Sequence, residues 1–289
     1  MKKAIAGLLC AVLLIGTLSV DVLTSDFLYK SNKSAHKSFL YEFGVFVGID
    51  EKNINRLKDY HQVVIDAEYF SKKSIAKLKK QGHTVYTYLN IGSLENYRKD
   101  YKKYKKYTIG QYENWEEEQW VDVSHKPWQQ RIKKMAETYD KKGVDGFFID
   151  NCDVYYFAGK SKASKDKLFG GLCAILKDLR TTYHKPVIIN GGDSFVSRCI
   201  ARKYKLTKYF TGVNQECVYT SIDFPKNKFK KADKASTQYY EAYLKKVRKK
   251  GLDVYLTEYT KSSSMRKTIY KKCTKQGYCY YAADDIQLI

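Results

Sequence analysis

The sequence predicts a (β/α)8 barrel, a single α/β domain in which eight parallel strands alternate with helices. Two observations lead to this prediction. After residue 40, eight short runs rich in β-branched and aromatic residues alternate with amphipathic segments. Each run also closes on Asp, Asn or Glu. The runs are residues 43–50, 63–68, 84–90, 144–150, 186–190, 210–216, 254–258 and 278–284.

The segments between the runs carry helix signals. The clearest are residues 71–82, 127–143 and 236–251, each with Ser or Pro near its start and Gly at its end. A doubly wound open sheet is the alternative interpretation of this alternation. Its nucleotide-binding form needs a glycine-rich turn after the first strand, and VGIDEKNINRL at residues 47–57 contains no such turn. The barrel is therefore favoured.

The N-terminus has the pattern of an export signal. A basic start is followed by an apolar stretch from Ala4 to Val20 and then by polar residues. The stretch is slightly short for a membrane span, so cleavage is favoured over a retained anchor. We predict a signal peptide or membrane anchor at residues 1–25, a basic linker at 26–40 and the barrel at 41–289. The protein is expected to be secreted or anchored at the cell surface.

The chain is strongly basic, with 53 Lys and Arg against 31 Asp and Glu and a formal net charge of +22. Such a surface attracts anionic cell-wall polymer or a membrane surface, and we predict this electrostatic association. Ordinary solvated lysine is the plainer interpretation of the same charge. The sequence has no recognisable nucleic-acid-binding motif, so no specific nucleic-acid partner is predicted.

Cysteine and histidine do not suggest a metal centre. The six cysteines after Cys10 lack the clustered spacing of zinc ligands, and the five histidines are scattered. Neither Cys152 nor Cys217 has a His nearby in sequence, which favours a structural role over a nucleophilic one. A Gly-x-Ser-x-Gly elbow is also absent from the sequence. We therefore predict no metal and no cofactor.

Acidic residues at the strand ends are the main functional signal. Carboxylates are costly to bury unless they are paired. The apolar run GVDGFFID nevertheless ends on Asp150, and Asp153 follows three residues later. Side chains alternate along a strand, so Asp150 shares the inward face with Phe148 and Gly146. The same alternation groups Asn214 with Glu216. The sequence thus predicts an acidic rim where the strands end.

Glu258 is placed on this rim by the same reasoning, together with Leu256. Helix capping is the alternative explanation for acids at strand ends, and we favour it for Asp50 and Asp284. It does not explain Glu216 and Glu258, because Glu is a poor N-cap residue.

Two carboxylates facing one another across a cleft suit the cleavage of a glycosidic bond. One protonates the departing oxygen, and the other attacks the anomeric carbon or activates water. Aromatic residues near the same rim would offer flat surfaces to sugar rings. The candidates are Tyr88, Trp115, Trp120, Tyr155, Tyr219 and Tyr259.

Four segments resemble the signature segments of glycoside hydrolase family 114, also described as the endo-α-1,4-polygalactosaminidase-like barrel. They are YLNIGSLENYR (88–98), GVDGFFIDNCDVY (143–155), GVNQECVY (212–219) and VYLTEYT (254–260). The resemblance extends, with gaps, from about residue 40 to 289. It implies a (β/α)8 barrel that cleaves a polysaccharide containing galactosamine or N-acetylgalactosamine, without a required metal.

Matched residue by residue, the resemblance implies Asp150 and Glu216 as the catalytic pair, with Glu216 preferred as proton donor. Further residues are predicted to bind the sugar or to support the pair. These are Asp66, Tyr88, Asn90, Glu95, Arg98, Asn151, Asp153, Asn190, Asn214, Tyr219, Glu258 and Tyr259.

The sequence departs from the family pattern at Asn90, where a small residue is expected, and in PVIINGGDSFV at residues 186–196. Charge raises a second question, because a chain at +22 would repel deacetylated, cationic galactosamine unless the acidic rim makes the cleft locally negative. One alternative function is a barrel that binds cell-surface polysaccharide without cutting it. Another is an electrostatic binder of wall polymer or nucleic acid, whose affinity would collapse with salt.

Overall fold

The structure, a computed structural model, describes residues 39–113, 115–157 and 165–289. The predicted signal or anchor segment at 1–25 and nearly all of the predicted linker at 26–40 lie outside the described residues. Among the helices of the described ranges, none combines the length and the apolar character needed to cross a membrane.

Eight parallel strands form one sheet whose order in space is the order in the chain. They are β1 (Tyr41–Phe46), β2 (Tyr60–Ile65), β3 (Thr84–Asn90), β4 (Gly146–Asp150), β5 (Val187–Asn190), β6 (Gly212–Glu216), β7 (Asp253–Tyr259) and β8 (Cys279–Ala283). The first and last strands meet, with the ring centroids of Phe46 and Tyr281 at 5.3 Å. The predicted (β/α)8 barrel is confirmed, and the open doubly wound sheet, whose strand order reverses midway, is excluded.

Helices cover the outer face of the sheet. The longer ones are α1 (Lys72–Lys80), α2 (Lys126–Lys142), α3 (Lys165–Tyr183), α4 (Asp193–Ala201), α5 (Lys234–Lys249) and α6 (Ser263–Gln276). Their ends follow the predicted signals. Ser71 caps α1 through the amide of Ser74, and Gly143 ends α2 with φ of 93°. Helix α5 begins two residues before the predicted Ser236, because Asp233 caps it through the Ser236 amide.

Two strands end earlier than predicted. The runs at 43–50 and 63–68 give strands that end at Phe46 and Ile65. Their polar ends form 3-10 turns instead, at Glu51–Leu57 and Ala67–Tyr69. Asp50 caps the first turn by accepting from the Lys52 amide, as predicted, and Asp66 caps the second.

Two insertions stand on the face where the strands end. After β3, three short strands form an antiparallel sheet, and after β6 two strands form a hairpin. These strands are Ser93–Glu95, Thr108–Gln111 and Glu118–Val121, and Thr220–Asp223 with Lys228–Lys231. The remaining short helical segments are Tyr101–Tyr104, Lys105–Tyr107, Val154–Phe157, Leu206–Lys208 and Phe224–Lys226. The insertions wall the carboxyl end of the barrel.

The alternation predicted for β4 is confirmed. Phe148 lines the cleft at the barrel mouth together with Asp150, whereas Phe147 packs outward on Tyr183 of α3 at 5.3 Å between ring centroids. Gly146 faces inward, where an added Cβ would lie 2.6 Å from the Tyr86 ring. A glycine is needed here because the aromatic ring fills the barrel interior at this level.

Candidate active site

The strand ends open into one cleft of about 910 Å³. This volume is at the upper end of the range for small-molecule pockets. Ten of the fourteen predicted site residues line the cleft. They are Asp66, Tyr88, Glu95, Arg98, Asp150, Asn151, Asp153, Asn190, Glu216 and Tyr259.

Asp150 and Glu216 lie together at the bottom of this cleft. The side-chain nitrogen of Asn190 donates to Asp150 Oδ1 at 3.0 Å and to Glu216 Oε1 at 2.9 Å. Because both oxygens accept from the same nitrogen, they are no more than about 6 Å apart. One amide donor therefore sets the separation of the two carboxylates.

Asp150 accepts hydrogen bonds from neutral donors. The Tyr88 hydroxyl donates to its Oδ2 at 2.9 Å, in addition to the Asn190 amide. Burial raises the pKa of Asp150, and the hydrogen bonds from Asn190, Tyr88 and the backbone oppose this rise.

Glu216 is bound by fewer donors. The Tyr259 hydroxyl donates to its Oε2 at 2.8 Å, and Asn190 supplies the second hydrogen bond. Burial raises the pKa of Glu216, and the nearby charge of Asp150 raises it further. The two carboxylates repel each other, so each disfavours ionisation of the other.

The chain turns in the same way after three neighbouring strand tips. The residue after Asp150, the residue after Asn190 and the residue after Glu216 all have left-handed backbones. These are Asn151 (φ 67°), Gly191 (φ 62°) and Cys217 (φ 57°). Gly and Asn adopt this conformation readily, whereas it is uncommon for Cys. The abrupt turn carries the following chain away and leaves the tip side chains open to the cleft.

Glu118 also lines the cleft and was missed by the sequence reasoning. Its Oε2 accepts from the Ser93 hydroxyl and lies 3.5 Å from Asn90 Nδ2 and 3.4 Å from Asn151 Nδ2. Burial raises its pKa to about 7, and the charges of Glu95 and Asp150 contribute. Because Glu118 belongs to an insertion and not to a barrel strand, strand alternation could not identify it.

Asp153, three residues after Asp150, also lines the cleft. Its Oδ2 accepts from the Gly192 amide at 3.0 Å, at the start of α4. Burial raises its pKa to about 7, with a further contribution from the charge of Asp150. This contact joins the loop after β4 to the loop after β5.

Arg98 joins three acids at the edge of the cleft. It lies 2.9 Å from Glu95 and 3.5 Å from Asp66, and it also pairs with Glu68. Burial raises the pKa of Asp66 to about 6, against the lowering effect of Arg98. The arginine offsets part of the negative charge of these acids and connects the loops that follow β2 and β3.

The sequence was compared with known proteins. Residues 28–286 match the family model of glycoside-hydrolase family GH114. The chain belongs to glycoside hydrolase family 114. The four signature segments thus indicated the family correctly, and the protein is a glycoside hydrolase. No curated protein matches the sequence.

Solved structures show the same fold at low sequence identity. The glycoside hydrolase domain of PelA from Pseudomonas aeruginosa has a TM-score of 0.73 and 16% identity, covering 86% of this chain and 95% of that one. Aspergillus fumigatus Ega3 in complex with galactosamine has a TM-score of 0.65 and 17% identity, covering 86% and 91%. A maltogenic α-amylase, AmyB from Thermotoga neapolitana, has a TM-score of 0.54 and 11% identity, covering 86% and 68%.

Four predicted site residues of this glycoside hydrolase do not line the cleft. Asn90 accepts from the amides of Gly92 and Ser93 at 3.3 and 3.0 Å and shapes the turn after β3. Asn214 donates to Asn190 Oδ1 at 2.7 Å and orients that amide from below. Both act beneath the site, so their arrangement gives no support to a direct sugar contact.

The structure does not place Glu258 on the acidic rim that was predicted from the sequence. It points away from Tyr259 and Thr257, its neighbours on β7, which contact Glu216 and Asn214 inside the barrel. Its fully buried carboxylate accepts from three consecutive backbone amides and one hydroxyl. These are the amides of Val218, Tyr219 and Thr220 and the Thr220 hydroxyl. Glu258 therefore anchors the segment that follows Glu216, and Tyr219 is held in that segment, with its ring against Lys272 at 4.6 Å.

Aromatic side chains form much of the cleft wall. Of the sequence candidates, Tyr88, Trp115 and Tyr259 line the cleft, whereas Trp120, Tyr155 and Tyr219 do not. Trp120 instead stacks beneath Tyr112, with ring centroids 4.1 Å apart. The wall also contains aromatic residues that were not singled out from the sequence. These are Tyr69, Tyr97, Tyr112, Phe148, Phe224 and Tyr240.

The charge of the cleft is opposite to that of the chain. Among the described residues, its lining has seven acidic side chains and one basic side chain, Arg98. The acids are Asp50, Asp66, Glu95, Glu118, Asp150, Asp153 and Glu216. The 53 Lys and Arg of the chain are thus almost absent from the site. In the ranges that the structure describes, no group of three or more His, Cys, Asp or Glu is placed to hold a metal ion.

Proposed function

We propose that this protein is an endo-acting glycosidase that cleaves a galactosamine-containing polysaccharide with the Asp150–Glu216 pair. The observation that carries the proposal is the shared Asn190 donor, which holds the two acids at one level of one cleft. The large cleft volume fits several units of a chain better than a single sugar.

The separation of the acids supports retention of anomeric configuration. Retaining glycosidases have carboxyl groups about 5–5.5 Å apart, whereas inverting enzymes leave about 6.5–9.5 Å for a water molecule. In this scheme Asp150 attacks the anomeric carbon while Glu216 protonates the departing oxygen. Glu216 then takes a proton from water, which hydrolyses the glycosyl-enzyme. The greater number of donors on Asp150, which stabilise its charged form, favours these roles.

The seven acids of the lining support a cationic substrate. A deacetylated galactosamine unit carries an ammonium group, and it would be attracted to this cleft although the chain as a whole is at +22. The complex of Ega3 with galactosamine is consistent with this choice.

We also propose that the protein acts outside the cytoplasm. The signal-like residues 1–25 support export, followed by either cleavage or anchoring. The basic exterior would favour anionic wall polymer or a membrane surface as a secondary partner.

The test is incubation with partially deacetylated α-1,4-linked galactosamine polymer, followed by measurement of new reducing ends and product lengths. Wild-type protein should release internal fragments, and NMR should show the α-anomer first. Asp150→Asn and Glu216→Gln should keep the fold and lose about a hundredfold or more in rate. Ligand retention without new reducing ends would favour the non-catalytic polysaccharide-binding barrel.

A further inference from the structure

Glu118 has a free carboxylate oxygen in the cleft. Its Oε2 is held by Ser93, Asn90 and Asn151, all through neutral groups. Within the described part of the chain, no hydrogen-bond donor reaches Oε1. The side chain is therefore fixed at one oxygen, and the other remains available to a ligand that fills the cleft.

Other acids of the cleft lining already pair with a cation or accept hydrogen bonds that cap a turn. Asp66 and Glu95 share the guanidinium of Arg98. Asp50 caps a 3-10 turn through the Lys52 amide. A ligand cation would therefore stabilise these carboxylates less than it would stabilise a carboxylate oxygen without a donor.

The acids nearest the reaction are also occupied. Asp150 and Glu216 share the Asn190 amide and each accept from a tyrosine hydroxyl. Asp153 accepts from the backbone amide of Gly192 and fastens one loop to the next. Asp50 and Asp153 also each keep one oxygen that accepts no hydrogen bond from the described residues, but Asp50 caps a turn and Asp153 joins two loops through backbone amides. Glu118 does neither, because the donors to its carboxylate are all neutral side chains.

Glu118 is also close to the reacting pair. Asn151, which contacts its Oε2 at 3.4 Å, is the residue directly after Asp150. The Tyr112 hydroxyl, which donates to Asn151 Oδ1 at 3.2 Å, covers the same corner of the cleft. A ligand group bound at Glu118 would therefore belong to a sugar unit at or beside the cleaved bond.

We propose that Glu118 is a specificity-determining residue that binds the ammonium group of a deacetylated galactosamine unit at this subsite. The inference rests on the proposed function, since it assigns one amine of that substrate to one carboxylate. An N-acetylated unit at the same place would bring no cation and would leave Oε1 of this partly buried carboxylate without a partner. The subsite should accept the free amine and reject the acetamide, whatever the other subsites tolerate.

The test compares Glu118→Gln with wild type on two oligomers of equal length, one fully deacetylated and one fully N-acetylated. Gln keeps the size of the side chain and its acceptor oxygen toward Ser93, and it removes the charge. The variant should lose about tenfold or more in kcat/KM on the deacetylated oligomer and show no loss, or a gain, on the acetylated one. The loss should lie mainly in KM, because the amine is not a reacting group.

Glu117→Gln is the matched control. Glu117 is an exposed neighbour in the same insertion that does not line the cleft, so the variant makes the same change in net charge. It should behave as wild type on both oligomers, with thermal melts confirming that both variants are folded. An equal loss on the two oligomers in Glu118→Gln, or a similar loss in Glu117→Gln, would overturn the inference while leaving the glycosidase intact. Absence of cleavage by wild type on both oligomers would instead overturn the proposed function.

Discussion

Asp150 and Glu216 accept hydrogen bonds from the same amide nitrogen, that of Asn190, at 3.0 and 2.9 Å. They are 66 residues apart in the chain, on β4 and β6, and Asn190 is at the tip of the intervening β5. Asn214 in turn donates to Asn190 Oδ1 at 2.7 Å, which leaves the Asn190 nitrogen facing the acids. The spacing of the pair is thus built into three adjacent strands.

Replacing Asn190 by Ala should lower kcat/KM by about tenfold to a hundredfold. A donor to a carboxylate favours its charged form, so loss of the amide should raise the pKa of both acids. The acidic limb of the pH–rate profile should therefore move to higher pH. A variant that is folded and slower but has an unshifted profile would contradict the bridging role of Asn190.

The variants Tyr88→Phe and Tyr259→Phe should shift opposite limbs of the same profile. In the proposed mechanism Asp150 must be charged to attack, and Tyr88 donates to it, so loss of the Tyr88 hydroxyl should move the acidic limb upward. In the same mechanism Glu216 must be protonated to act as acid, and Tyr259 donates to it, so loss of the Tyr259 hydroxyl should extend the basic limb. The profiles of kcat/KM measure both effects. If the two shifts were exchanged, the roles of the two acids would have to be exchanged as well.

Glu258→Ala should destabilise the fold by about 3 kcal/mol or more, because it leaves three buried amides without an acceptor. The segment after Glu216 should loosen, and activity should fall with stability. Urea unfolding measures the free energy. Glu241→Ala is the control, since Glu241 pairs with Lys272 at the surface and should contribute less than about 1 kcal/mol. Equal effects of the two substitutions would show that Glu258 is not an anchor.

The difference in Tm between Glu118→Gln and wild type should depend on pH. Because the pKa of Glu118 rises from 4.5 to about 7 on folding, the folded protein binds this proton more tightly than the unfolded chain. The contribution of Glu118 to stability is therefore lost as pH rises between about 4.5 and 7. Relative to wild type, the Tm of Glu118→Gln should increase across this window and level off above it. A constant difference in Tm from pH 4.5 to pH 8 would contradict the raised pKa.

Trp115→Ala should raise KM for polymer about fivefold with little change in kcat, if its ring in the cleft wall stacks on a sugar. Tyr156→Ala is a suitable control, because Tyr156 is 66% exposed and lies outside the cleft lining. Steady-state kinetics on one polymer preparation measures both variants. A matching rise in KM for the two would remove Trp115 from the binding surface.

The sequence by itself determined the barrel and the strand ends at which the candidate site lies. Eight apolar runs of similar length, each closing on a polar residue, admit few other folds, and strand alternation correctly placed Asp150 with Phe148 and Glu216 with Asn214. These conclusions need only local information, because the period of a strand fixes which neighbours share a face.

Only the tertiary structure decided which strand-end acids reach the cleft and which other groups meet them. Alternation says that Glu258 and Tyr259 face opposite ways, but the choice between the two faces depends on how β7 packs against β6. Glu118 comes from an insertion whose path no strand period describes, and the bridging position of Asn190 requires three strands in register. Contacts between residues far apart in the chain are set by the closure of the sheet, so they could not be read from any single segment.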